Sequence, residues 1–244
     1  MRTFLALGLL LAATAFAADE KCPDYTYCQF WTTGECATGT KQSPIASNAA
    51  GRQRGAALQK VVVHYAGEHV PVKLTNTSTT LKSHQTIKKL LLITFQGHDY
   101  GLDEFHFHTP AEHLIDVWDR AGHRPVAELH LVHKSGAAAV AIAVPIYLGT
   151  TPNPALEALK AHGRPAACNS VEIAAVPMGA LVPPEIDRYI TYDGSLTTPP
   201  CSEPVRFVLL ENGLTATQAE IDFLRVTMNA RTAQYNANPV TFRQ

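Results

Sequence analysis

Glu104-Phe105-His106-Phe107-His108 and Ala127-Glu128-Leu129-His130-Leu131-Val132 are the stretches of this 244-residue chain whose residue types could do chemistry together. In an extended strand side chains alternate between faces, so His106 and His108 point one way and Phe105 and Phe107 the other. The second stretch repeats the arrangement, with Glu128, His130 and Val132 on one face and Leu129 and Leu131 opposite. Two neighbouring strands of this kind can present three imidazoles to one point. Three neutral histidines with a fourth position left open form a catalytic zinc site. Glu104 and Glu128 each lie two residues before a histidine and on its face. A carboxylate there can accept the ring's other N–H and fix its tautomer and orientation. A lone His-x-His is ordinarily two polar positions on a solvated strand, but this one has company elsewhere in the chain.

That company is Gln42-Ser43-Pro44-Ile45, Glu112-His113 and Gly194-Ser195-Leu196-Thr197-Thr198-Pro199-Pro200-Cys201. With Phe105 to His108 and Ala127 to His133, in this order, these segments closely resemble the α-class carbonic anhydrases of the bacterial, exported type. The resemblance runs from about Gln42 to about Gln234. It implies a mainly β fold: a large, twisted, mixed but mostly antiparallel central sheet with a few short peripheral helices and the metal at the bottom of a conical cleft. It also implies that His106, His108 and His130 bind Zn2+. Zinc lowers the pKa of bound water to about 7, the value known for carbonic anhydrase itself, and the hydroxide attacks carbon dioxide to give bicarbonate and a proton. Thr197 would accept the hydroxide's hydrogen and donate its own to Glu112, with Thr198 as a neighbouring polar wall. Val132, Leu196, Val205 and Phe207 would line the apolar substrate pocket, Phe207 being smaller than the family's usual tryptophan. Glu128 would orient His130, with His113 and Tyr192 in the network behind, and Asn229 would lie near His108 through its backbone. His133 and the Gln-Ser-Pro-Ile segment look structural. Cys36 would pair with Cys201, closing a long loop.

Two departures from the family pattern stand out. Glu104 occupies a place where glutamine is common; a carboxylate still accepts from His106 but adds negative charge near the metal. Ser78, in Asn76-Thr77-Ser78-Thr79-Thr80, falls where many members carry a proton-shuttling histidine. Serine does not titrate near neutrality. Proton export then relies on water and buffer, or on another histidine such as His64, His84 or His98.

Elements able to carry these residues can be read from the pattern. Val61 to Leu74 and Leu90 to Phe107 are rich in Val, Ile, Leu, Thr and Phe, which predicts strands. Val140 to Leu148 is an apolar run whose periodicity fits a buried strand or a buried helix. Pro152 to His162 has helical spacing with Gly163 as its stop, and Thr217-Gln218-Ala219-Glu220 is a capping box leading into Ile221, Leu224 and Met228. Arg2, the apolar run Phe4 to Phe16 and Ala15-Phe16-Ala17 read as a signal peptide over residues 1–17, leaving 18–244 as a single domain. The run is too short for a membrane anchor, and the expectation is an exported protein, periplasmic or secreted.

Formal net charge is -1, which gives no long-range attraction to nucleic acid or acidic membranes. A small substrate such as carbon dioxide or bicarbonate is compatible with it, and a homodimer is left open. Of the remaining cysteines, Cys22–Cys28 is a local pair that would leave Cys168 free, though spacing also permits Cys168 to pair with either. The alternative to an enzyme is a carbonic-anhydrase-like binding module, catalytically weak or inactive. The three histidines, Thr197 and Glu112 are all present, which argues for the enzyme.

Overall fold

The computed structural model describes residues 32–48, 60–65, 67–85, 91–119, 122 and 124–225. The expected leader, Cys22, Cys28, Met228 and Asn229 lie outside them. In chain order the elements are α1 (Glu35–Thr38), β1 (Ala46–Ser47), β2 (Val62–His64), β3 (His69–Asn76), β4 (Leu81–Gln85), β5 (Leu92–Phe95), β6 (His98–His108) and β7 (Leu114–Ile115). They continue with β8 (Ala127–Ser135), β9 (Ala138–Leu148), α2 (Pro154–Ala161), β10 (Ser170–Pro177), β11 (Tyr189–Gly194), β12 (Val205–Leu210), β13 (Leu214–Ala216) and α3 (Gln218–Leu224).

Eleven strands form one sheet along the path β10-β3-β4-β6-β8-β9-β12-β11, with β5 on β6, β2 on β5 and β13 on β9. Pairing is antiparallel except where β12 and β13 meet β9. The sheet is therefore mixed and mostly antiparallel, as expected. The apolar run from Val140 is a strand: it pairs with β8 from Ala127↔Ile146 to Ser135↔Ala138. The two long runs read as strands are each interrupted. Gly67, at φ 78°, separates β2 from β3, and Gln96 and Gly97, at φ 51° and 77°, turn β5 back into β6. Two successive positive φ values match the right-handed twist of a tight hairpin.

Alternation on β6 and β8 divides the sheet into two chemical faces. Phe105, Phe107, Leu129 and Leu131 enter the main core with Val72, Leu74, Ile142 and Val144, all nearly inaccessible. Each such side chain contributes roughly 1.5–3 kcal/mol on burial. The rings of Phe105 and Phe107 meet edge to face at 5.9 Å. This oily face presses against α2 and α3 and leaves the other face of the same strands to carry the imidazoles. There a smaller apolar cluster forms from Ile115, Trp118, Val132, Ala141, Ala143, Val205, Phe207 and Leu209.

The helices are peripheral and start where the sequence signals them. Asn153 caps α2, accepting from the backbone N–H of Ala155 and Leu156, so the helix begins at Pro154 rather than Pro152. Both arms of the capping box at α3 are formed: Thr217 accepts from the Glu220 N–H, and Glu220 accepts from the Thr217 N–H. Cys36 and Cys201 are joined by a disulfide, tying the start of the described chain to the loop after β11. Cys168 is also disulfide-bonded, which corrects the reading that leaves it free.

Candidate metal centre

Register on the β6–β8 ladder sets the site. His106 stands opposite His130, His108 opposite Glu128 and Glu104 opposite Val132. Directly opposed residues share a face, so the alternation read from sequence brings three imidazoles together. Ring centroids are 4.8 Å apart for His106–His108, 5.1 Å for His106–His130 and 4.5 Å for His108–His130. One ligand atom from each ring lies within 4.8 Å of the others.

A carboxylate engages the outer nitrogen of every ring. His106 Nδ1 donates to Glu104 Oε2 at 3.1 Å, His108 Nδ1 lies 3.0 Å from Glu112 Oε1, and His130 Nε2 donates to Glu128 Oε1 at 2.7 Å. The nitrogens left facing inward are His106 Nε2, His108 Nε2 and His130 Nδ1. Of these, His108 Nε2 is buried with no hydrogen-bond partner. An orphaned buried nitrogen is costly unless something takes its lone pair. That nitrogen and the inward nitrogens of His106 and His130, each on a ring backed by a carboxylate, are a donor set with the supporting hydrogen bonds that suit zinc, so the residues present fit that ion.

Glu128 is the hub. Besides His130 it accepts from His113 Nδ1 at 2.5 Å and from the backbone N–H of Glu112 and His113 at 2.8 and 2.9 Å. Burial would raise its pKa, but His113 and His130 outweigh burial and hold it well below the usual carboxylate range. His113 donates from Nδ1, so its Nε2 accepts from the Tyr192 hydroxyl at 2.7 Å. Tyr192 in turn accepts from the Ser43 hydroxyl at 2.8 Å. Ser43 and Ser195 close the chain reciprocally: Ser43 N–H donates to Ser195 Oγ, and Ser195 N–H to Ser43 Oγ. Gly194 makes room for this, since a Cβ there would meet Ser43 Oγ at 2.1 Å. The Gln-Ser-Pro-Ile segment thus reaches the metal centre through four side chains, a connection its motif alone did not disclose.

The charges are mutually arranged. Burial pushes His130 down to about 4, and the crowded His108 adds to it. Burial also disfavours a charged His108, but Glu112 outweighs it and raises that pKa. Glu112 itself is held below its ordinary value, His108 overcoming the effect of burial.

Other expected residues are placed as follows. Val132, Val205 and Phe207 fall in one apolar cluster beside the imidazoles, whereas Leu196 is 38% exposed. Phe207 is 2% exposed and stacked on Tyr192, with its ring 5.6 Å from His130. It shields the hydrogen-bonded chain from water. Thr197 and Thr198 are half-buried in a turn closed by Cys201 N–H donating to Thr198 O. Glu112 faces His108, its Oε2 is buried without a partner, and no hydrogen bond joins it to Thr197 among the described residues. Glu112 Oε1 lies on His108 Nδ1; Asn229, expected near His108, lies outside the described residues. Ser78, at φ 70°, receives its turn from Asn76 Oδ1, which accepts the Ser78 N–H at 2.9 Å.

Known proteins resemble this chain in sequence and in fold. The family model for eukaryotic-type carbonic anhydrase matches residues 27–243. A carbonic anhydrase from Klebsiella pneumoniae is 32% identical over 233 residues, covering 91% of this chain and 90% of that one. The α-carbonic anhydrase of Photobacterium profundum superposes with a TM-score of 0.71 at 29% identity, covering 83% of this chain and 89% of its own. That of Thermovibrio ammonificans, solved with the inhibitor sulfanilamide, gives 0.68 at 28% identity, covering 80% and 81%. The chain belongs to the α-carbonic anhydrases, enzymes of reversible carbon dioxide hydration.

Proposed function

We propose that this protein is a zinc-dependent carbonate dehydratase whose metal is held by His106, His108 and His130. The observation that carries the reading is the set of inward nitrogens, each on a ring fixed from behind by a carboxylate, with His108 Nε2 buried and unpartnered. When bound, zinc supplies the Lewis acidity that makes water a nucleophile at neutral pH.

The chain's own residues do the rest. Glu104, Glu112 and Glu128 hold the three rings in the tautomers that leave those nitrogens free, and the buried Ser43–Tyr192–His113–Glu128 chain fixes the third carboxylate. Glu112 Oε2 is the acceptor available to the Thr197 hydroxyl, which orients the attacking water toward carbon dioxide. Val132 and Val205 offer an apolar wall that binds carbon dioxide without competing hydrogen bonds, and Leu196 and Thr198 bound its outer side.

Proton export falls to water and buffer, because the Asn76–Thr80 turn carries no group that titrates near neutrality. Of the three alternative histidines, His84 stands opposite Glu104 on the site face. His64 pairs with Leu92, which pairs with Gly101, roughly 17 Å along β6 from His106.

We further read residues 1–17 as a signal peptide and 18–244 as one domain, exported to the periplasm or beyond. The disulfides support this, and among the described residues no helix is long and apolar enough to cross a membrane. Stopped-flow carbon dioxide hydration, with zinc content measured and buffer varied, tests the function. Fast hydration at one zinc per chain, accelerated by buffer, is expected; bound zinc without hydration overturns the enzymatic reading in favour of a binding module.

A further inference from the structure

β4 brings to the imidazole face a residue that no motif marks. Lys82 is the Cα partner of His106 across the β4–β6 ladder, so its side chain leaves the sheet on the side of the ligands. Its Nζ stands 3.3 Å from Glu104 Oε1, while Oε2 of the same carboxylate accepts from His106 Nδ1 at 3.1 Å. Each oxygen therefore has its own partner. The Glu104 side chain is 10% exposed and that of Lys82 32%, so a buried anion meets a cation still in touch with water. Glu104's ladder neighbours are His84 and Val132. Among the described residues, Lys82 is the lysine or arginine within ion-pairing distance of Glu104.

Physical chemistry gives this pair more weight than an ordinary surface salt bridge. Exposed pairs contribute about 0–1 kcal/mol, but a buried carboxylate that loses its counter-charge is left with an uncompensated desolvation cost. A carboxylate freed from Lys82 can recover solvation by swinging outward, away from His106.

We propose that Lys82 is a positioning residue of the metal centre: by anchoring Glu104 Oε1 it keeps Oε2 on His106 Nδ1, and so keeps His106 Nε2 turned inward to receive the metal. The proposal rests on the zinc reading above. A neutral amide at position 104 needs no counter-charge, so replacing Glu104 by glutamine should uncouple Lys82 from His106.

Competition with a chelator at fixed pH gives the zinc dissociation constant of the wild type, Lys82→Met, Lys82→Arg, Glu104→Gln and the Lys82→Met/Glu104→Gln double variant. Thermal unfolding of each metal-free form reports folding, and Lys82→Gln replaces Lys82→Met should the latter not fold. Supporting a ring through its outer nitrogen typically changes metal affinity 10- to 100-fold, so Lys82→Met is expected to weaken zinc about tenfold. Lys82→Arg restores the affinity. In the Glu104→Gln background the same Lys82→Met change moves the constant by less than about twofold, the coupling being lost with the charge. Unaltered affinity in Lys82→Met, or an equal loss in both backgrounds, overturns the proposal. A wild type that binds no zinc overturns the functional reading itself, and that result is read before any variant is compared.

Discussion

His130 and His133 lie three residues apart on β8, both essentially inaccessible, yet they serve opposite faces of the sheet. His130 points into a cluster of ionisable groups; its Nε2 is engaged by Glu128 and its Nδ1 faces two other imidazoles. His133 points into the apolar core and meets the buried Tyr65 hydroxyl through Nε2. Both are kept neutral, His133 at about 3 by burial and His130 at about 4 by burial together with its crowded neighbours. The difference lies in what the neutrality is for. On the core face the uncharged His133 is a packing unit held at Nε2 by the Tyr65 hydroxyl, whereas on the site face His130 crowds against two other imidazoles, with nitrogens that a cation would satisfy.

The contrast is broken most severely by removing a ligand. His108→Ala should abolish stoichiometric zinc binding and bring hydration down to the uncatalysed rate, checked by metal analysis and stopped flow. The same substitution at His133 should leave zinc stoichiometry intact and lower stability instead. Next in size is Glu128→Ala, which strands His113, His130 and two backbone N–H groups in the interior. Loss of one partner from a buried charged network typically costs about 3–5 kcal/mol, to be measured by denaturant unfolding.

Tyr192→Phe should cost less, about 1–3 kcal/mol, because it leaves His113 Nε2 and the Ser43 hydroxyl without their partner. The pH dependence of stability probes the core face. The His133 pKa in the fold, about 3, lies below its ordinary 6.5, so the unfolded chain binds the proton more readily. Its contribution is complete above pH about 6.5 and is lost as pH falls toward 3, at no more than about 1.4 kcal/mol per pH unit. Unfolding midpoints across that window should fall less steeply in His133→Gln than in the wild type.

Much of the site was legible because strand alternation is a strict rule. The spacing of His106, His108 and His130, with Glu104 and Glu128 two residues ahead, becomes three rings and two supporting carboxylates once β6 and β8 pair. The capping box at Thr217 is local, and local signals survive folding; the spacing of α2 places its start at Pro152, two residues before the helix begins after its Asn153 cap. What remained hidden depends on tertiary register. Lys82 meets Glu104 only because β4 pairs with β6 at Lys82↔His106. Ser43 reaches Tyr192 across a sequence separation of 149 residues. Glu112 meets His108, four residues earlier, from the bent segment that follows β6, a geometry that no residue pattern specifies.

The proposed function rests on one zinc ion held by His106 Nε2, His108 Nε2 and His130 Nδ1. Anomalous diffraction at the zinc edge from crystals of the metal-loaded protein tests it directly. A single full-occupancy peak bonded to those three nitrogens is expected, with Glu104, Glu112 and Glu128 still behind the rings. A peak bonded to Glu112 or Glu128, or displaced to the His113–Glu128–His130 group, would contradict it.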